Sequence, residues 1–282
     1  IMQEHKDFVD MVFDQDATSI SYVRKLYRFF VKSEWNQSVE NTIIIPLAQD
    51  LRNNGFYLLP VLRKLLESEH FYDEDDTLNT DDIIGAIIKH PMQLWSEIIS
   101  ALKVNLVDAN QQEKWEEFYH YFFKNFAHNS CFSAAGFNMF SPDSVAGYPS
   151  DYQGPSYDRQ WFTSVSIIAR YKYIDSFING KNLITGGGRF DSIVNSIVYV
   201  QSVVSNPYDA KTIVTEIALY LYPESIHEDR INYFKVILTG TLGDSYWTGA
   251  WAEYIGGDDT PARTRLIELL IAMVNAPEFQ IM

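Results

Sequence analysis

Apolar residues recur along most of the chain at three- and four-residue spacing rather than alternating, which predicts helices with little or no strand. Asp16 stands as a cap before Ile20, Val23, Tyr27, Phe30 and Val31, which share one helix face. The apolar stretch from Val39 to Leu51 contains Pro46, which must start or kink a helix because it lacks an N–H and clashes with the preceding turn. Asn53-Asn54-Gly55 is a stop signal, and Pro60 then sits early in a helix carrying Leu59, Leu62, Leu65 and Leu66. So short a connection implies antiparallel neighbours.

Further along, Pro91 disfavours helix at His90 and opens one through Trp95, Ile98 and Leu102. Asp108 and Gln111 have the spacing of a capping box for a helix from Ala109 to about Ala127. The pattern then gives way to Gly, Pro, Ser, Asn and aromatics until Arg159, and helical spacing resumes over 161–177. Residues 197–204 suit strand or helix equally. Asn206-Pro207, the pair Ser225 and Glu228, and Thr260-Pro261 each open a helix, and Pro223 closes one. The expected fold is therefore all-α, a multi-helix bundle in which sub-bundles 1–128 and 159–282 are joined by an irregular loop, 129–158. The chain opens in helical pattern at Ile1, so it reads as one helical domain truncated at its N-terminus.

Charge removes some classes of function. A formal net charge of −15 argues against nucleic acid, whose phosphates need clustered Lys and Arg, and against anionic lipid. No apolar run reaches membrane-spanning length. Cys131 is the single cysteine, so neither an internal disulfide nor a cysteine metal cluster is possible.

Four patterns bear on chemistry. Glu67-x-x-His70 and Glu117-x-x-His120, preceded by Glu40 and Glu97, follow the ligand order of ferritin-like di-iron bundles, although Glu67 and His70 fall at a helix end. Coincidence of surface residues is the simpler reading, and no metal or cofactor is assigned. Arg24, Arg28 and Lys32 form either a solvated helix face or partners for carboxylates on a neighbouring helix. Gly186-Gly187-Gly188 reads as a joint between elements. The stretch from 138 to 161 gathers Asn138, Phe140, Asp143, Tyr148, Asp151, Tyr152, Tyr157, Asp158, Arg159 and Trp161. Aromatic faces beside amides and carboxylates supply the stacking and hydrogen bonds that a polyhydroxylated, carbohydrate-like ligand needs. The same residues would also staple an irregular loop to helices.

Four stretches, in order, resemble the bacterial family labelled "domain of unknown function 1800". They are 22–31; 62–71 with Ile88-Lys89-His90-Pro91-Met92-Gln93-Leu94; Phe140-Ser141-Pro142-Asp143-Ser144-Val145-Ala146-Gly147-Tyr148-Pro149 with Trp161 and Ala169-Arg170; and Pro277-Glu278-Phe279-Gln280. Relatives usually carry Gly-Gln where this chain has Gly136-Phe137-Asn138, and Trp in place of Tyr148. The resemblance implies a helical, exported protein, and a second exported protein as a partner, but no activity. The leading expectation is a non-catalytic binding or scaffold protein using the central loop. The rivals are a hydrolase using the loop carboxylates and a ferritin-like metal-dependent oxidase.

Overall fold

A computed structural model describes residues 2–73, 87–104, 110–138, 158–179, 184–185, 188–189 and 194–282. It is all-α, as the periodicity requires. Among the described residues, extended structure is confined to the antiparallel ribbon of β1 (Ile184–Thr185) with β2 (Gly188–Arg189) and one isolated bridge between Ile88 and Ile281. The described residues fall into two compact units, parting between Ile87 and Ile88.

The first unit contains α1 (Met2–Asp14), α2 (Asp16–Phe30), the short turn α3 (Gln37–Val39), α4 (Ile45–Asn53) and α5 (Leu58–Leu66). Its core is Val23, Tyr27 and Val31 from the α2 segment, Leu47, Ala48 and Leu51 from α4, and Val61 and Leu65 from α5. The cap of α2 is Gln15, whose side chain makes no capping hydrogen bond, so Asp16 serves as the first helical residue rather than the cap. There its negative charge still complements the helix N-terminus. Pro46 is accommodated by a π turn, Glu40–Ile44, in which the Ile45 N–H reaches the Glu40 carbonyl. The wider turn delivers the chain into α4 just before the residue that has no N–H to donate. At the end of α4, Gly55 takes φ of 61° and the Phe56 N–H returns to the Leu51 carbonyl at 2.8 Å, as the stop signal predicts.

In the second unit, His90 caps α6 (Pro91–Ala101), its Nδ1 accepting from the Gln93 N–H. A short helical run, Gln112–Lys114 and α7 (Trp115–Glu117), leads into a π-helix, Phe118–Phe132. Asp108 of the expected capping box lies outside the described residues. A helix closed by i→i+5 bonds holds more than four residues per turn. Phe118, Phe122, Phe126 and Cys131, four or five apart, therefore turn toward one core. Helical structure continues through Ser133–Ala135 and stops at Gly136, where φ is 81°. The expected irregular segment thus starts several residues later than the sequence pattern places it.

After α8 (Ser164–Asn179) and the ribbon come α9 (Ser196–Val203), α10 (Ala210–Leu221), α11 (Glu228–Thr239), α12 (Asp244–Ile255), α13 (Thr260–Val274) and α14 (Pro277–Gln280). Asn195 caps α9, which resolves the ambiguous segment as helix. The cap of α11 is His227, not Ser225, so that capping box does not form. Asp209 caps α10, while Pro207 accepts the indole N–H of buried Trp247 at 2.9 Å. α13 is the central rod: it packs on α8, α9, α11 and α12, and Leu266, Leu269, Leu270 and Met273 are sealed from solvent. Each such side chain contributes about 1.5–3 kcal/mol of burial. Leu94, Trp95 and Ile98 of α6 share one core with Phe177 and Ile217. This shared core sets the unit boundary at Ile88.

Candidate functional site

Three of the four family-like stretches meet in the second unit at one buried polar node. Arg170 sits mid-way along α8, on the face that also buries Tyr173, Ile174 and Phe177, and is sealed from solvent. It donates from Nε to Gln280 Oε1 and from Nη1 to the Lys89 carbonyl, each at 2.8 Å. Gln280, also sealed, donates onward to the Val274 carbonyl at 2.9 Å and receives the Lys89 N–H on its own carbonyl at 2.9 Å. The buried Lys89 ammonium donates to Glu97 Oε1 at 2.7 Å and to the Phe279 carbonyl at 2.8 Å, and lies 4.4 Å from the centroid of the Phe279 ring. The node therefore fastens residues 88–90 to α8 and to the chain end.

Its electrostatics follow from two cations sharing one buried place. Burial pushes the Lys89 ammonium below its ordinary range; the Glu97 charge and hydrogen bond oppose this, and Arg170 adds to it. Arg170 is lowered by burial, partly offset by Tyr173 and Tyr171. His90 is lowered by burial and then by the Arg170 charge. Among the described residues, Arg170 Nη2 and Asp158 Oδ1 are buried without a hydrogen-bond partner.

Beside the node, His90 anchors an aromatic clasp. Its ring stacks on Phe137 with centroids 5.6 Å apart and lies 6.5 Å from Trp161, while Phe137 and Trp161 meet edge-on at 5.6 Å. Asp158 is buried and accepts the Ile88 N–H on Oδ2 at 3.0 Å. The two flanks of segment 139–157 are thus held at a common base.

Of the loop residues singled out by sequence, Asn138 accepts from Ser133 Oγ at 2.6 Å, Asp158 and Trp161 are buried, and Arg159 is exposed. Phe140, Asp143, Tyr148, Asp151, Tyr152 and Tyr157 lie outside the described residues. Lys89, His90, Arg170 and Gln280 were not among the site residues singled out. An arginine set among Ile167, Ile168, Ala169 and Tyr173 was the available signal, since a charge on an apolar helix face needs buried partners.

Among the described residues, the side chains of the di-iron pattern are not brought together. Glu40, in the first unit, receives two hydrogen bonds from Arg24, from Nη2 at 2.7 Å and Nε at 3.1 Å, and one from the Trp35 indole at 2.7 Å. Burial works to raise its carboxyl, but those bonds and the Arg24 charge hold it below the ordinary carboxylate range. Glu97 is paired with Lys89, the exposed Glu67 with Arg63, and His70 Nε2 lies 2.8 Å from the Tyr27 hydroxyl. The Glu117 side chain lies outside the described residues. Among the described residues, no group of three His, Cys, Asp or Glu side chains is placed to hold a metal ion. Nor is any described helix long and apolar enough to cross a membrane. Cys131 is buried and its thiol is pushed well above its ordinary range, which removes it as a nucleophile.

Comparisons with curated proteins and with solved structures find no match. A family model does match, over residues 1–281, and the chain therefore belongs to the family described as "Protein of unknown function (DUF1800)".

Proposed function

We propose that the chain is a non-catalytic binding protein of an exported bacterial system, presenting the 139–157 segment as its contact surface. The aromatic clasp is the observation behind this reading: Phe137, before the segment, and Trp161, after it, close on one imidazole. Joining the ends of a long segment costs loop entropy that grows only slowly with length. Three packed rings and a buried Asp158 offset that cost and fix the base. Long segments held at their base are a common place for recognition. Phe140, Tyr148 and Tyr152 offer flat faces, and Asp143, Asp151 and Gln153 offer hydrogen bonds, a combination suited to a carbohydrate-like ligand. The enzyme readings draw no support from the described residues: Glu40 and Glu97 are committed to cations and Asp158 to a backbone N–H.

Retention on insoluble polysaccharides tests the proposal. The full chain should be held back on at least one of cellulose, chitin and starch, and Tyr152→Ala should lose that retention while keeping its helical spectrum. Equal behaviour of the two proteins, or passage of both through all three, overturns it.

A further inference from the structure

The first unit has an open cleft of about 320 Å³ lined by Ile20, Arg24, Trp35, Asn36, Gln37, Glu40 and Ile45. That volume falls at the lower end of the roughly 300–1,000 Å³ of small-molecule sites. We propose that this cleft binds a neutral sugar ring, independently of the 139–157 segment. The chemistry of the lining decides the class. Glu40 is clamped by Arg24 and by the Trp35 indole N–H, so those two charges largely offset one another, while the Arg28 guanidinium lies over the Trp35 ring, 5.4 Å from its centroid. Yet Arg24 stays half exposed and spends only Nε and Nη2 on Glu40, leaving Nη1 to donate outward. Gln37, exposed at the rim with its Nε2 donating to Asn41 Oδ1 at 3.1 Å, adds an amide oxygen, and Ile20, Ile45 and the indole supply apolar wall. A ring with C–H faces and hydroxyl edges matches apolar wall plus planar donors and acceptors; an apolar ligand would strand the polar groups and a charged one would meet none of opposite sign left unpaired.

Two backbone features build the site rather than leave it to chance. Glu40 opens the π turn that precedes Pro46, and such wide turns occur often at functional sites. Asn36 caps the preceding turn, accepting the Val39 N–H at 2.9 Å, which fixes the strip of chain between Trp35 and Glu40.

The test is a nuclear magnetic resonance titration of the full chain, following the Trp35 indole and Arg24 Nε–H signals. The probes are glucose, galactose, N-acetylglucosamine, maltose and cellobiose, with inorganic phosphate and triglycine as counter-probes. At least one sugar should shift both signals saturably while phosphate and triglycine leave them in place. Arg24→Lys keeps the charge but loses the planar fork, and should weaken that binding about tenfold. Gln37→Ala, at an exposed position that cannot disturb the core, should weaken it several-fold. No shift with any sugar, a shift with phosphate or triglycine alone, or unchanged binding by Gln37→Ala and folded Arg24→Lys overturns the inference. None of these variants replaces a residue of the 139–157 segment, so failure of this test leaves the proposed function to its own experiment.

Discussion

Arg170 and Gln280, 110 residues apart in the sequence, are joined by a 2.8 Å hydrogen bond between two side chains that solvent does not reach. A buried guanidinium with no carboxylate partner among the described residues depends on such neutral acceptors, because each lost acceptor leaves charge in a poorly polarisable place. Gln280→Ala should therefore destabilise the chain by about 1.5–3 kcal/mol. Arg170→Met with Gln280→Leu removes both the charge and its acceptor, and should cost less than the two single changes added together. Urea unfolding of the four proteins measures the coupling; strict additivity would show that the bond contributes nothing.

His90 makes stability depend on pH. Its folded value lies below the ordinary 6.5 because burial and Arg170 disfavour the imidazolium. The unfolded chain then binds the proton more readily, so the folded state loses stability as pH falls through 6.5 toward the lower folded value. Above that window the contribution is fully present. His90→Asn retains a side-chain acceptor for the Gln93 N–H and removes the titration. Its unfolding midpoint should change less with pH across this window than that of the wild type; parallel profiles would assign the pH dependence to other groups.

Cys131 gives a probe of the second unit's core. Its thiol is buried and pushed upward, so alkylation of the native chain near neutral pH should be far slower than that of the denatured chain. Rapid labelling without denaturant would mean that the π-helix Phe118–Phe132 opens readily.

The parts of this fold legible in the sequence are those governed by local chemistry. Pro91 fixes the start of α6 because proline suits a first helical turn, and Gly55 fixes the end of α4 because its φ is positive. The caps at Gln15 and His227 are less legible, because Asp16 and Ser225 are the better capping types, yet Asp16 is the first helical residue of α2 and Ser225 lies before the cap of α11. The node was less legible still. Lys89, Arg170 and Gln280 are far apart along the chain, and nothing in hydrophobic spacing says that a lone lysine, arginine and glutamine will share hydrogen bonds. For Arg24, of the two readings open for its helix face, the fold adopts the pairing with a neighbouring carboxylate, Glu40.

Trp161→Ala is the change that most directly probes the base of the 139–157 segment. Trp161 is buried, touches Phe137 edge-on and lies beside His90, and its carbonyl accepts the Ser166 hydroxyl at 3.0 Å, tying the clasp to the start of α8. Removing the indole deletes a large buried surface and leaves a cavity, which for an aromatic residue costs about 3–5 kcal/mol. That loss divides into a global part and a local part. If the clasp only adds to the core, the midpoint of unfolding falls and native-state amide exchange rises evenly over the second unit. If it also holds the segment's flanks together, exchange rises most at Phe137 and Asn138, while α13, packed on the far larger apolar core, stays protected. The expected result is the second. Phe137→Leu should reproduce it in weaker form, since an aliphatic side chain still fills space but gives up the ring contacts with His90 and Trp161. Uniform exchange in both variants would reduce the clasp to ordinary packing and remove the support for a fixed contact surface.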